Sequence, residues 1–126
     1  MLKVSSGTKW EDIVGYSRAV RVGNMVFVAG TTAVDGLVVV GEGNIYQQTH
    51  FIITKIEKAL QQCGASLANV VQTRMYVTNI NQWEEVAKAH SQFFDTIRPA
   101  ATMVEVSALA MPQLLIEIEV IALIEV

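Results

Sequence analysis

The run from Leu114 to Val120 constrains this chain more than any other. It alternates with period two, placing Ile116, Ile118 and Val120 on one face and Glu117 and Glu119 on the other. Alternation in a run rich in β-branched residues marks a strand with one buried face. Two carboxylates on the opposite face are costly unless they meet water, a cation or a ligand. That face is where function is to be sought. Just upstream, Arg98 to Val106 reads as a second closing strand of the same kind.

The preceding chain supplies partners for these strands. Tyr16 to Val22 and Met25 to Ala29 are extended runs joined by Gly23-Asn24, a dipeptide suited to a tight hairpin turn. Gly30-Thr31-Thr32 leaves the second strand. Asp35-Gly36 signals another turn, with a short strand expected at Leu37 to Val40. The period then changes: Ile45, Thr49, Ile52, Ile56, Ala59, Leu60 and Cys63 recur every three or four residues, as on an amphipathic helix that Gly64 would end. Asn69 to Thr78 alternates again, with Val71, Thr73, Met75 and Val77 opposite Gln72, Arg74, Tyr76 and Thr78. A second helix is expected to start at Asn81, with Glu84 completing a capping box. Its stripe is Trp83, Val86, His90, Phe93, Phe94 and Ile97, and Pro99 stops it.

The resulting order is ββ(β)αβαββ. Right-handed crossovers would put both helices on one face of one sheet. The uncovered face would carry Arg74, Tyr76, Glu117 and Glu119 and, by the same alternation, Ala101, Met103 and Glu105. About half the residues are apolar. A half-polar open face in so apolar a chain is best explained by self-association.

A length of 126 residues fits a single domain spanning residues 1–126. The net charge of −3 and the lack of any Lys/Arg cluster argue against nucleic acid as a partner. Cys63 is the only cysteine, which excludes an intrachain disulfide and a cysteine-based metal framework. The N-terminal residues lack the apolar core of a secretory signal, and no apolar run approaches the ~20 residues that span a bilayer. A soluble cytoplasmic protein, without membrane or metal, is the expectation.

Two readings attach to each candidate residue. Arg74 recognises an anion, or forms an ion pair with Glu105, Glu117 or Glu119. Glu117 polarises a water molecule, or is that ion-pair partner. Glu119 reads as structural. His90 reads as a satisfied histidine at the core edge, and His50 has no evident partner; two distant histidines make a metal site improbable. Cys63 reads as a small core residue. Gly41-Glu42-Gly43 lacks the remaining glycine and lysine of a phosphate loop.

The chain from about Gly15 to Ala122 resembles the Rid/YjgF family of imine deaminases, also called endoribonuclease L-PSP or translation inhibitor proteins. The resemblance rests on Gly15-Tyr16-Ser17-Arg18-Ala19-Val20, Gly23 to Gly30, Gln47, Gly64, Val70-Val71, Tyr76-Val77, Pro99-Ala100 and Ile116-Glu117-Ile118-Glu119. It implies an α+β, chorismate-mutase-like sandwich: one mixed sheet with two helices on one face, in a homotrimer with a central barrel. It also implies clefts for a small metabolite between subunits, and imine or enamine hydrolysis without a cofactor. In those terms Glu117 would position the attacking water. Tyr16, Gly30 and Thr31 would line the cleft, where the family commonly has Gln in place of Thr31. Met103 would contact substrate from the first closing strand.

The chain departs from the family at two positions. Ala101 stands where competent deaminases carry a carboxylate-gripping Arg, and Ala87 where the family often has Asn. Arg74 is the candidate substitute for the missing clamp. A non-catalytic ligand binder is the alternative, and RNA cleavage, suggested only by the older family name, is disfavoured by the acidic charge balance.

Overall fold

In a computed structural model of the protein, which describes residues 1–125, the alternating segments form one six-stranded sheet. In spatial order its strands are β1 (Leu2–Val4), β2 (Ala19–Val22), β3 (Met25–Thr31), β8 (Ile116–Leu123), β6 (Val70–Val77) and β7 (Ala100–Glu105). The β6–β7 pair is parallel and the other pairs are antiparallel, so the sheet is mixed. A separate ribbon pairs β4 (Val34–Asp35) with β5 (Val38–Val39) around the Asp35-Gly36 turn. The helices are α1 (Lys9–Val14), α2 (Ile45–Gln62) and α3 (Trp83–Phe94).

The last strand thus lies inside the sheet, hydrogen-bonded to β3 on one edge and β6 on the other. Its apolar face meets α2, which also packs on β3 and against α3. Ile52, Ile56 and Leu60 interlock there with Ile116, Ile118 and Val77, each at most 1% exposed. Asn44 caps α2 by accepting the Gln47 amide at 3.0 Å, and Gly64 ends it at φ +79°. All seven residues of the expected α2 stripe are buried. So is Gln48, which clamps the helix to the approach of β8. Its amide donates to the Gly41 and Gln113 carbonyls at 3.1 and 2.9 Å, and its carbonyl accepts the Leu115 amide at 2.9 Å.

Several local expectations are corrected. The first hairpin strand starts at Ala19, not Tyr16, and β1 and α1 precede it. The Asn81–Glu84 capping box does not form. Asn79 instead accepts the Asn81 amide at 3.0 Å and caps a 3-10 turn over Ile80–Gln82. Trp83 then sits outside the stripe, 52% exposed, while Val86, Ala89 and Phe94 are the buried positions of α3. Val71 is exposed because the pairing register shifts between Val70 and Gln72.

The largest correction concerns β7. Its parallel register sets Ala101 beside Thr73, Met103 beside Met75 and Glu105 beside Val77, all on the helix-covered side. Met103 packs on the core, and Glu105 accepts the Ile80 amide at 3.0 Å. Thr102 and Val104 take the open-face positions next to Arg74 and Tyr76. Alternation groups residues by face but leaves open which face is which, and a one-residue offset exchanges the two sets.

The open face has two halves. Val22, Phe27 and Leu123 form an apolar half with Val20, Met25 and Ile121, and Phe27 is 43% exposed. Arg74, Tyr76, Glu117 and Glu119 form the polar half. No helix among the described residues is long and apolar enough to cross a membrane.

Replacing Ile52 by Ala should cost about 2–5 kcal/mol, because the buried site is walled by other fixed side chains. Trp83→Ala should stay within about 0.5 kcal/mol, as expected of an exposed side chain. Denaturant melts of the two variants test the corrected assignment of α3 together with the core.

Candidate functional site

Glu117 sits on β8 opposite Tyr76, and its carboxylate lies across the backbone of Gly30. A Cβ at position 30 would come within 2.0 Å of Glu117 Oε2, so the Glu117 carboxylate keeps this place only against a glycine. The β3–β8 pairing is irregular between Val28 and Thr31, which lets Gly30 present bare backbone to the open face. Gly30, Tyr76, Glu117 and Glu119 line a cleft of about 350 Å³, with Val106 and Leu109 from the chain after β7.

Burial raises the Glu117 pKa above the ordinary carboxylate value of 4.5; Arg18 pulls it back and Glu119 pushes it further up. Tyr76 donates a short hydrogen bond to Glu119 Oε1, and this bond, then burial and the nearby negative charge, hold the phenol above its usual range. Tyr76 therefore faces the cleft as a neutral group. Arg74 approaches the same Glu119 oxygen at 3.9 Å, with the two side chains 47% and 35% exposed. A contact that long and that wet contributes about 0–1 kcal/mol.

The cation that bears most directly on the Glu117 backbone cradle is Arg18. It is only 5% exposed and precedes β2. Nη1 donates to the Gly30 carbonyl at 2.7 Å and to Thr31 Oγ1 at 3.0 Å; Nη2 donates to the Tyr16 hydroxyl at 3.1 Å. Behind it stands Glu11 of α1, 3.6 Å from Nε. Glu11 accepts from the hydroxyls of Ser5, Ser6 and Thr8 and from the Ser6 amide. Burial pushes its pKa up, but these donors outweigh burial and hold it at about 2. Its contribution to stability is therefore complete above pH 4.5 and lost as the pH falls toward about 2. Arg18 falls within the Gly15–Val20 motif and the expected Tyr16–Val22 strand, but β2 starts only at Ala19, so a strand period does not place its side chain. Glu11 carried no sequence signal beyond its polarity.

The expected site residues divide accordingly. Gly30 and Glu117 meet in the cleft. Tyr16 stands behind it, joined through Arg18. Thr31 turns its side chain into the core, donating to the Ala29 carbonyl at 2.8 Å while accepting from Arg18, so that residue offers the cleft backbone only. Arg74 lies beside Glu119, outside the cleft lining. Met103 lies on the other side of the sheet. His90 Nε2 is 3.0 Å from Thr73 Oγ1 and its ring lies against Phe94; burial lowers its pKa. His50 packs on Phe93 with ring centroids 4.9 Å apart. Cys63 is buried, and burial raises its thiol pKa against the opposing pull of Arg21. Among the described residues, no group of three or more His, Cys, Asp or Glu is arranged to hold a metal ion.

The profile of the Endoribonuclease L-PSP family matches residues 7–124. The chain belongs to this family. The crystal structure of Rv2704 from Mycobacterium tuberculosis, a member of the YjgF/YER057c/UK114 family, superposes with a TM-score of 0.90 at 50% identity, covering 98% of each chain. An uncharacterized protein of Streptomyces coelicolor is 35% identical over 118 residues, 94% of this chain and 88% of its own length. A RutC family protein of Pyrococcus abyssi is 39% identical over 110 residues, 85% of this chain and 84% of its own. The mixed sheet with its packed helices is thus the fold of the Rid/YjgF family, as the resemblance implied.

The electrostatics of Glu117 have a measurable consequence. Folded Glu117 holds its proton more tightly than unfolded Glu117, so it opposes folding increasingly as the pH rises from 4.5 through its folded value. Glu117→Gln should therefore raise the melting temperature at neutral pH and have no such effect near pH 4. Gly30→Ala should lower it at both, because the new methyl displaces the Glu117 side chain. Calorimetry at the two pH values distinguishes these outcomes.

Proposed function

We propose that this family member binds a small imine or enamine metabolite at the Gly30–Glu117 cleft and hydrolyses it to a carbonyl compound and ammonia. The observation that carries this reading is a carboxylate of raised proton affinity held over bare backbone in an accessible cleft. Such a group suits general base catalysis near neutral pH. Water loses a proton to Glu117 as its oxygen bonds the imine carbon. The C=N π pair moves to nitrogen, which takes a proton from solvent to give the carbinolamine. The proton held by Glu117 then passes to that nitrogen, the hydroxyl releases its proton to solvent as the C=O bond forms, the C–N bond breaks, and ammonia leaves. The nucleophile is water and the imine is already electrophilic, so the reaction proceeds without a cofactor.

Substrate grip within one chain falls to the Gly30–Thr31 backbone and to Arg74, whose exposed pairing with Glu119 costs little to exchange for a substrate anion. Met103 shares no face with Glu117 and packs on the core, so a part in substrate contact would require a second copy to bring its β7 edge beside the cleft. The apolar half of the open face supports packing of that kind, and we take the assembly to be a homotrimer with a central barrel. A second reading, a ligand-binding protein without catalysis, is favoured by one observation: Ala101 and Ala87 provide no substrate clamp. RNA cleavage finds no support in a chain of net charge −3.

Ammonia release from imines generated in situ, 2-aminoacrylate and bulkier analogues, tests the chemistry. Glu117→Gln should lower the accelerated rate by about 10²–10⁴-fold, the range for a lost general base. Arg74→Ala should raise KM more than it lowers kcat. The acid limb of the pH profile should lie above 4.5, and Glu119→Gln should move it downward by removing a like charge. No acceleration of any imine over buffer would leave the binding reading in its place. Sedimentation should give a trimer; a monomer would overturn the part assigned to Met103.

A further inference from the structure

A second and larger cavity, of about 560 Å³, shares no lining residue with the Glu117 cleft. It lies between the Ser5–Lys9 segment, the β4–β5 ribbon and the exposed side of α2. Its hydroxyl groups are already committed. Ser5, Ser6 and Thr8 donate to Glu11, and Thr54 donates to the Phe51 carbonyl at 2.6 Å. What remains is cationic: Lys9, Lys55 and Lys58 line the cavity together with Arg18, whose charge Glu11 balances from behind, and Asp35 is the one carboxylate of the lining. Among the described residues, none of these lysines has a carboxylate within 4.0 Å.

Two cationic groups mark the floor. Lys55 is only partly exposed, and its ammonium donates to the Val34 carbonyl at 2.8 Å, leaving further N–H donors. Burial, and then the charge of Arg18, lowers its pKa. Arg18 Nε is buried without a hydrogen-bond partner. Lys58 lies three residues beyond Lys55 and so on the same side of α2. Concentrated positive charge beside apolar wall from Phe51 and Ala59 is the make-up of a site for a small organic anion.

We propose that this cavity is an anion-binding site, separate from the Glu117 cleft, that takes a small metabolite with a phosphate or carboxylate head between Lys55, Lys58 and Arg18. Lys55 and Lys58 supply charge-assisted donors to the head group. Arg18, paired with Glu11, supplies a fixed floor below the lysines while its Nη atoms remain on Gly30, Thr31 and Tyr16. The ribbon and the Ser5–Lys9 segment wall the ligand from opposite sides.

Isothermal titration of the full chain in low-chloride buffer, with inorganic phosphate and separately with succinate, tests the site. At least one probe should saturate at one site per chain; phosphate alone identifies a phosphorylated ligand, and succinate alone a carboxylate. Lys55→Gln and Lys58→Gln should each weaken binding by about tenfold or more, as expected for a lost charge-assisted hydrogen bond. Lys58 is exposed and, among the described residues, donates no side-chain hydrogen bond, so its variant separates ligand binding from any folding effect of Lys55. Glu117→Gln should bind as wild type, which keeps this site distinct from the proposed imine chemistry. The proposal is overturned if neither probe saturates by about 10 mM, weaker than the millimolar range, if both lysine variants bind as wild type, or if Glu117→Gln abolishes binding.

Discussion

Everything else in the molecule hangs on β8 being paired along both edges and covered on one face only. Its Ile116, Ile118 and Val120 side chains sit under α2, at no more than 3% exposure. Sheet geometry then commits Glu117 and Glu119 to the other side. Gln48 reinforces the commitment by holding the approach of β8 through two hydrogen bonds from inside α2, to the Gln113 carbonyl and the Leu115 amide. The same burial that stabilises the strand thus delivers two carboxylates to a face with no covering helix.

The two glutamates have different environments. Glu119 has Tyr76 as a donor and Arg74 nearby, both oriented toward one oxygen. Glu117 has Gly30 backbone beside it and a cation, Arg18, whose nitrogens are turned to other acceptors. Arg18 moderates the proton affinity of Glu117 through space without forming an ion pair with it. Its own position depends on Glu11, a buried carboxylate satisfied by the hydroxyls of the N-terminal segment. A surface segment thereby supports the electrostatics of the cleft, and its other side walls a second, cationic cavity.

Much of this was legible in the sequence. The Gly23-Asn24 hairpin, the α2 stripe ending at Gly64 and the alternation of β6 and β8 are local patterns, and each appears in the fold. Near-misses arose where two local rules competed. Asn79 and Asn81 are both good caps, and the 3-10 turn between them moved Trp83 into solvent. Arg74 lies on the open face, as its alternation implies, and it is the only cation that alternation puts beside Glu117 and Glu119. Arg18 falls inside the expected Tyr16–Val22 strand, but the strand begins only at Ala19, and a side chain that reaches from the residue before a strand obeys no period.

What the sequence by itself determined is what short-range geometry determines: which residues form strands and helices, which share a face, and hence that Glu117 and Glu119 stand together. The family followed from the same ordered motifs. Only the tertiary structure decided the face of Ala101 and Met103, since parallel pairing of β7 with β6 sets a register that neither strand encodes alone. It also decided which cation stands near Glu117. Charges act through space, and the fold brings Glu11, Arg18 and Glu117 together from α1, the approach to β2 and β8, across most of the length of the chain.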